Sequence, residues 1–342
     1  GRDGQLGSAP APCTSCATPR RIPELATTRV HACAAGADFS LWILGSRREL
    51  AGLGANAFGQ LGTGDRDARW FAERCRSAVR GETSPVYEGS QPLWNVVDVA
   101  AGWSHALCVA DGKLYSWGSA NRGALGHRHS SGHPYPVSEG SVADVVVAAC
   151  AAGDGFSFAL DSQGALHSSG EWRSGALGRA RGVGFNRVYV TDRITGNAER
   201  VRSVSCGCAH AACVTDEGRV YTWGGGFSEH WQALGRGPKQ GDEPLSITCK
   251  PVLARRTMTE RETRGDVRVR PALHDVVHVA AGGSREPGAS STVAVLGDGS
   301  VWLAAGGKYL PYSHWFAEIR PAFGHDPESS SDDSETSSDS ES

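Results

Sequence analysis

The chain has 342 residues, among them 45 glycines and one methionine, and its formal net charge is −3 at pH 7. This length exceeds one ordinary domain but suits a single large repeat array, and the glycine-rich composition favours turn-rich β structure over helices. The longest apolar run, residues 145–152, is far shorter than the ~20 residues that cross a bilayer, which excludes a membrane-spanning helix.

The first residues of the chain resemble the end of a repeat. Residues 4–7, Gly-Gln-Leu-Gly, match residues 59–62, yet the strands that should precede them are absent. Either the N-terminus is truncated, or the missing strands come from elsewhere. Residues 8–29 contain four prolines and predict a linker.

The first complete repeat spans residues 30–62. It contains short apolar runs at 30–35, 39–44 and 49–53, separated by turn residues. Each run is too short for a helix and rich in β-favouring residues, so each predicts a strand. A long connection, residues 63–93, follows.

The second repeat, residues 96–126, is the clearest copy. Its apolar runs at 96–101, 106–110 and 114–117 are separated by Gly102 and by the dipeptide Asp111-Gly112. Asp-Gly between two strands predicts a hairpin, because tight turns require the positive φ that glycine accepts. The sequence therefore predicts a small antiparallel sheet.

The three later repeats depart from this pattern at single places. In the third, residues 145–178, the sequence Ser-Ser-Gly ending at Gly170 replaces Trp117-Gly118, and Trp172 follows the glycine. The fourth, residues 201–235, is regular up to Gly224. The fifth, residues 276–310, has an insertion after its first strand and a degraded end.

Residues 236–271 form the longest insertion. They are rich in arginines, with acidic residues interleaved. Such a segment is typical of a solvated loop, and it is also a candidate partner-binding loop. The candidate partner-binding residues are Arg255, Arg256, Arg261 and Arg264.

The copies share a spacing. A glycine ends the first strand of each copy, and 16 to 18 residues separate it from the glycine that ends the third strand, except in the fifth copy, where the interval is 24. Constant spacing inside each unit with variable lengths between units identifies a repeat of one supersecondary structure. The predicted structural residues are the repeat glycines (Gly36, Gly102, Gly153, Gly207, Gly282), the pairs Trp117-Gly118 and Trp223-Gly224, and the box leucines (Leu61, Leu125, Leu177, Leu234).

A sheet of three or four short strands cannot shield both of its faces alone. When such sheets are arranged radially, each buries its faces against its neighbours. The sequence therefore predicts an all-β fold, a β-propeller of antiparallel four-stranded blades with five recognisable repeats and an N-terminal remnant. We place the propeller in residues 1–325.

The cysteines and histidines do not predict a metal site. Cys108, Cys150, Cys206 and Cys213 occupy strand positions typical of small buried residues. Cys13 and Cys16 form one pair without a second pair at zinc spacing, which favours a reducing compartment, cytoplasmic or nuclear. His127, His129 and His133 lie close in sequence without a carboxylate or cysteine at ligand spacing, and a solvated loop is the favoured interpretation.

The chain ends in an acidic, serine-rich segment. Seven acidic residues and no Lys or Arg follow Arg320, so the preceding body is mildly basic. Residues 326–342 cannot bury enough apolar area to become ordered, and they predict a disordered tail. Candidate phosphorylation sites, each with an acidic residue three positions later, are Ser329, Ser330, Thr336 and Ser338.

The combination Ala-Ala-Gly-x-x-His-Ala-Leu, Asp-Gly-x-Leu-Tyr-Ser-Trp-Gly and Gly-Ala-Leu-Gly in residues 97–126 resembles the repeat of the regulator of chromosome condensation family. The pattern returns in residues 204–235 and more weakly in the other copies. The resemblance implies a seven-bladed propeller. Its founding member catalyses guanine-nucleotide exchange on the small GTPase Ran while bound to nucleosomes, and other members are ubiquitin-ligase modules, membrane-traffic regulators or an ultraviolet-B photoreceptor.

This family uses one fold for many functions, so the fold does not select the partner. The resemblance implies a monomeric protein-interaction propeller that regulates a small GTPase. The alternatives are an exchange factor for a Ran-like GTPase and a chromatin-binding propeller, although the acidic tail would repel DNA. No segment matches the exchange wedge, and no Ser-His-Asp order, P-loop or zinc signature stands out, so no catalytic residue, cofactor or metal ligand is assigned. Trp103 is a single tryptophan where the photoreceptor needs a cluster.

His105 and His210 occupy equivalent repeat positions. Recurrence in register favours structural hydrogen bonding near a blade edge over catalysis, because a catalytic residue would usually occur once.

Overall fold

The computed structural model describes residues 22, 25–77, 91–180, 182, 184–191, 196–225, 233–235, 246–251, 273–283, 289–305 and 317–319. Within these residues the secondary structure is β-strand, apart from 3-10 turns such as Asn121–Gly123 and Gly140–Val142. No helix in this part of the chain is long and apolar enough to span a membrane.

Five four-stranded antiparallel sheets, here called blades 1 to 5, account for most of the strands, and in each the strands pair in chain order. Blade 1 contains β1 (Val30–Ala35), β2 (Phe39–Leu44), β3 (Glu49–Gly54) and β4 (Arg69–Arg74). The short strands β5 (Arg76–Ser77) and β6 (Gln91–Pro92) pair separately. Blade 2 contains β7 (Val96–Ala101), β8 (His105–Ala110), β9 (Lys113–Gly118) and β10 (Ser131–Pro136).

Blades 3 to 5 repeat the same plan. Blade 3 contains β11 (Val147–Ala152), β12 (Phe156–Asp161), β13 (Leu166–Gly170) and β14 (Asn186–Val188). Blade 4 contains β15 (Val201–Cys206), β16 (His210–Thr215), β17 (Val220–Gly224) and β18 (Ser246–Pro251). Blade 5 contains β19 (Val276–Gly283), β20 (Ser290–Leu296), β21 (Val301–Ala305) and β22 (Ala317–Ile319).

The hydrophobic core lies between the blades. Four buried clusters are found, and each takes side chains from two consecutive blades. The cluster between blades 1 and 2 contains Phe39, Leu41 and Leu61 from one side and Trp117 from the other. A leaflet that buries both faces against its neighbours is a propeller blade, so the predicted β-propeller is confirmed.

Backbone hydrogen bonds join the blades at their turns. The amide that begins each innermost strand donates to a carbonyl in the turn between the second and third strands of the preceding blade. These bonds run from Val96 to Arg48 (3.1 Å), Val147 to Gly112 (2.8 Å), Val201 to Gly164 (2.8 Å) and Val276 to Gly218 (3.0 Å). In blade 2 this turn is the predicted Asp-Gly hairpin, with φ of 49° at Asp111 and 71° at Gly112.

The outer strands lie where the sequence shows only connections. β4 falls within residues 63–93 and β18 within residues 236–271, so both segments contain the fourth strand of a blade. The described part of the longer segment is therefore strand and not loop.

Candidate functional site

One side of the propeller carries the loop after the innermost strand in blades 1 to 4 and the loop after the third strand in blades 1 to 3. The innermost strand runs toward this side and ends at the repeat glycine, and the third strand ends at a second glycine on the same side. We call this side the glycine face. The turns between the second and third strands lie at the opposite end of each blade, because neighbouring strands are antiparallel.

The five innermost strands converge on a cavity of about 500 Å³. In each blade its wall consists of the residue before the repeat glycine, the repeat glycine and one or two residues that follow. All five blades therefore surround one axis, and the repeat glycines lie at its mouth.

The repeat glycines allow neighbouring blades to approach each other. A Cβ atom on Gly102 would lie 2.5 Å from the carbonyl oxygen of Gly153, and one on Gly153 would lie 2.7 Å from that of Gly207. A Cβ atom on Gly36 would lie 2.7 Å from the carbonyl oxygen of Gly102, and one on Gly207 would lie 3.0 Å from that of Gly282. Real Cβ atoms do not come closer than about 3.0 Å to such an oxygen, so glycine is required for the backbone contact at the three shorter distances.

The residue after the repeat glycine varies from blade to blade, whereas in blades 1 to 4 the glycine itself approaches the repeat glycine of the next blade. The amide of Trp103 donates to the carbonyl of Gly153 at 3.3 Å, and the amide of Asp154 donates to that of Cys208 at 3.2 Å. In blades 1 to 4 the residues that follow, Ala37, Trp103, Asp154 and Cys208, line the mouth of the cavity. Such variation on a constant frame is typical of a recognition surface.

The loops after the third strands add exposed aromatic side chains to this face. Phe58 is 48% exposed and Trp172 is 40% exposed. Between them, Arg122 has a φ of 65° and extends to blade 3, where its guanidinium lies 3.5 Å from the Asp154 carboxylate and its Nη1 donates to the Asp154 carbonyl at 3.4 Å. The glycine face therefore combines large apolar groups with fixed charges.

Two kinds of contact alternate between successive blades beneath this face. At the imidazole junctions, His105 of blade 2 is hydrogen-bonded to Ser157 of blade 3, and His210 of blade 4 to Thr292 of blade 5, each at 2.9 Å. The expected hydrogen-bonding role of these two histidines is thus confirmed. Burial lowers the pKa of His105 to about 4, so its ring is neutral at pH 7.

At the aromatic junctions, between blades 1 and 2 and between blades 3 and 4, phenylalanine replaces the histidine. Phe39 and Phe156 occupy the position, three residues after the repeat glycine. The partner blade supplies a fully buried tryptophan whose Nε1 donates to a backbone carbonyl of the preceding blade: Trp117 to Gln60 at 2.8 Å and Trp223 to Ala176 at 2.7 Å. Ser169 and Trp117 have equivalent positions, because each pairs with the residue four positions after the repeat glycine of its own blade. At the imidazole junction between blades 2 and 3, serine therefore stands where the aromatic junctions have tryptophan.

The remaining predicted sites are placed as follows. The box leucines are all buried. The imidazoles of His127 and His129 stack at 4.3 Å, but no group of three metal-ligating side chains occurs in the described ranges. The candidate partner-binding arginines, the candidate phosphorylation sites and the pair Cys13 and Cys16 lie outside the described residues.

One polar cluster was missed by sequence reasoning. Ser141 Oγ lies 2.7 Å from His167 Nδ1, and His167 Nε2 lies 3.2 Å from Asp161 Oδ2. The three residues come from a connection and from two strands of blade 3, and none repeats in register. No sequence signal could have placed them together.

Models of the "Regulator of chromosome condensation (RCC1) repeat" match this chain at residues 111–160, and at residues 96–124 and 201–228. These segments cover the strands and turns that line the axis of blades 2 to 4. The chain therefore contains repeats of this family.

Curated relatives match longer stretches of the chain. It is 37% identical to the human E3 ubiquitin-protein ligase HERC2 over 145 residues, which are 42% of the chain and 3% of that protein. It is 28% identical to the Arabidopsis thaliana ultraviolet-B receptor UVR8 over 226 residues, 66% of the chain and 47% of the receptor. It is 27% identical to the Bos taurus secretion-regulating guanine nucleotide exchange factor over 202 residues, 58% of the chain and 39% of the factor. The chain thus spans less than half the length of each relative.

Solved structures show the same fold. Human WBSCR16 superposes with a TM-score of 0.60 at 20% identity, covering 86% of this chain and 68% of that one. Prp20p from Saccharomyces cerevisiae, described with its binding to Gsp1p and histones, superposes with a TM-score of 0.59 at 16% identity, covering 86% and 64%. These identities support the fold alone.

Proposed function

We propose that the chain is a protein-binding propeller and that the glycine face is its contact surface. The observation that carries this proposal is the recurring contact between successive repeat glycines around one axis, with a different residue after each glycine in blades 1 to 4. The frame is rigid, because each blade is packed and hydrogen-bonded to its neighbours, and a rigid frame lowers the entropic cost of ordering a contact surface on binding.

The partner that we propose is a small GTPase. The resemblance of the repeats to the regulator of chromosome condensation family and the similarity to a secretion-regulating guanine nucleotide exchange factor support this choice. The exposed aromatic residues Phe58 and Trp172 are the side chains we expect to contribute most, because aromatic residues dominate the energetics of interface centres.

Binding to a panel of purified small GTPases, each nucleotide-free and nucleotide-loaded, tests the proposal by biolayer interferometry. Trp172→Ala should weaken the binding of the recognised GTPase by about 30-fold or more, as expected for an interface hot spot. Tyr189→Ala is the matched control, since Tyr189 is a 67% exposed aromatic residue of the same blade, beyond the outer strand β14. Binding that is insensitive to Trp172→Ala and Phe58→Ala, or absent across the panel, contradicts the proposal.

A second candidate function is guanine-nucleotide exchange itself, for which the exchange-factor relative is the favouring observation. Release of a fluorescent GDP analogue from each bound GTPase separates the two functions. A GTPase that binds the chain at micromolar concentration without accelerated release rejects exchange and leaves the binding function standing.

A further inference from the structure

The cluster of Ser141, His167 and Asp161 has the connectivity of a nucleophile, a base and an orienting carboxylate. Ser141 lies in the 3-10 turn Gly140–Val142, His167 in β13 and Asp161 at the end of β12. His167 and Asp161 are buried, and Ser141 is partly exposed. The cluster lies in blade 3 and its connection from blade 2, apart from the loops of the glycine face.

The carboxylate is held in one orientation. Oδ1 of Asp161 accepts the amides of Gln163 at 2.9 Å and Ala165 at 2.8 Å, which leaves Oδ2 for His167 Nε2. Burial would raise the pKa of Asp161, but the hydrogen bonds from Ala165, His167 and Gln163 outweigh it and lower that pKa. The carboxyl group is therefore ionised at neutral pH and accepts hydrogen bonds only.

The ionised carboxylate determines which nitrogen of His167 carries the proton. Nε2 faces an acceptor and must be the N–H, so in the neutral ring Nδ1 has the lone pair. Ser141 Oγ, 2.7 Å from Nδ1, is then the donor. The other acceptor within reach of the Ser141 hydroxyl is the Phe185 carbonyl oxygen. It lies farther away, at 3.1 Å, and already accepts a hydrogen bond from the Ser141 amide at 2.9 Å. The serine proton thus points at a base.

We propose that Ser141 is an activated nucleophile that accepts acyl or phosphonyl groups from electrophiles. In the step, Ser141 Oγ bonds to the electrophilic carbon or phosphorus while its proton passes to His167 Nδ1. The leaving group departs with its bonding electron pair, and Asp161 stabilises the imidazolium that forms. The positions of Nδ1 and Nε2 are exchanged relative to the serine proteases, but general-base catalysis needs only a basic nitrogen within hydrogen-bond reach of the hydroxyl.

A fluorophosphonate probe tests this proposal, with fluoride as the leaving group and mass spectrometry of the intact chain and its peptides as the readout. We expect one adduct, on Ser141, and none in Ser141→Ala. Ser162→Ala is the matched control, because Ser162 is an exposed serine next to Asp161, and its labelling should equal that of the wild type. No adduct at saturating probe, or adducts spread over several serines, overturns the proposal.

Asp161→Asn distinguishes a positioning carboxylate from a merely structural one. The amide side chain can donate to Nε2 and reverse the tautomer, so that Nδ1 carries the proton and cannot accept another. A triad loses about 10⁴-fold in rate by such a change, and we expect labelling to slow at least 100-fold. Labelling at the wild-type rate in a folded Asp161→Asn variant contradicts the proposal.

The substitution Ser141→Cys provides an independent measurement, which can be made even if Asp161→Asn folds poorly. In this variant the imidazole of His167 should take the proton of the introduced thiol, so iodoacetamide should alkylate that thiol faster than the exposed thiol of Cys33, which serves as the internal reference. Equal or slower alkylation of the introduced thiol counts against the proposal. None of these results depends on GTPase binding, so this proposal and the proposed function fail separately.

Discussion

At the imidazole junction between blades 2 and 3, two substitutions introduce the phenylalanine and the alanine that the aromatic junctions have at the same positions. His105 and Ser157 are buried and share a hydrogen bond of 2.9 Å. His105→Phe leaves the serine hydroxyl without the imidazole, and Ser157→Ala removes the hydroxyl partner of His105 Nε2. Each unsatisfied buried group costs about 1–3 kcal/mol in the free energy of unfolding.

The double variant His105→Phe/Ser157→Ala should recover most of this loss. Removing both partners of a buried hydrogen bond together is nearly neutral where the shape allows it. The aromatic junctions place phenylalanine and alanine at the same two positions, as in Phe39 with Ala106. The double variant keeps Ser169 where those junctions have tryptophan. The ring of Phe39 also lies against its repeat glycine as the His105 ring lies against Gly102.

Urea unfolding followed by circular dichroism gives the four free energies of this double-mutant cycle. We expect each single variant to lose about 2 kcal/mol and the double variant to lose less than about 1 kcal/mol, a coupling of about 3 kcal/mol. Additive losses, with the double variant the least stable, would refute the reasoning that each single variant loses stability through an unpaired buried group.

Three further predictions concern stability. Burial lowers the pKa of His105 from 6.5 to about 4, so the unfolded chain binds a proton before the folded chain does as the pH falls. The free energy of unfolding should therefore drop by about 3 kcal/mol between pH 6.5 and pH 4. The double variant His105→Phe/Ser157→Ala should lack this drop in pH-dependent urea unfolding. Gly153→Ala should lower the free energy of unfolding by at least about 2 kcal/mol, since its Cβ would overlap the Phe156 ring and the carbonyl of Gly207. Gly282→Ala, whose Cβ would have no described atom within 4 Å, should lower it by less than about 1 kcal/mol in the same urea assay. Leu177→Ala should cost about 2–5 kcal/mol, because the side chain is fully buried between blades 3 and 4; a thermal midpoint unchanged within a degree would contradict this packing.

The three inner strands of each blade are predictable from the sequence because turn residues bound them at constant spacing. β1 and β2 agree with the predicted bounds, and β3 extends one residue further, to Gly54. The fourth strands are different. β4 and β18 lie in connections of variable length without a shared pattern, and their pairing depends on the edge that the third strand presents.

The candidate sites depend on contacts that single repeats cannot show. The repeat pattern marks His105 and His210 but not the hydroxyl groups that they meet, which lie 52 and 82 residues later. The cluster of Ser141, Asp161 and His167 forms because a connection packs against the edge of blade 3, and this packing leaves no periodic trace in the sequence.

Hydrogen exchange of the chain, free and bound to the GTPase that it recognises, tests the proposed contact surface most directly. We expect new protection in the loops that follow the repeat glycines, at Trp103 and Asp154, and in the loop that contains Trp172, with no change in the turns around Gly112 and Gly164 at the opposite end of the blades. Protection of those turns with the glycine face unchanged would contradict the account.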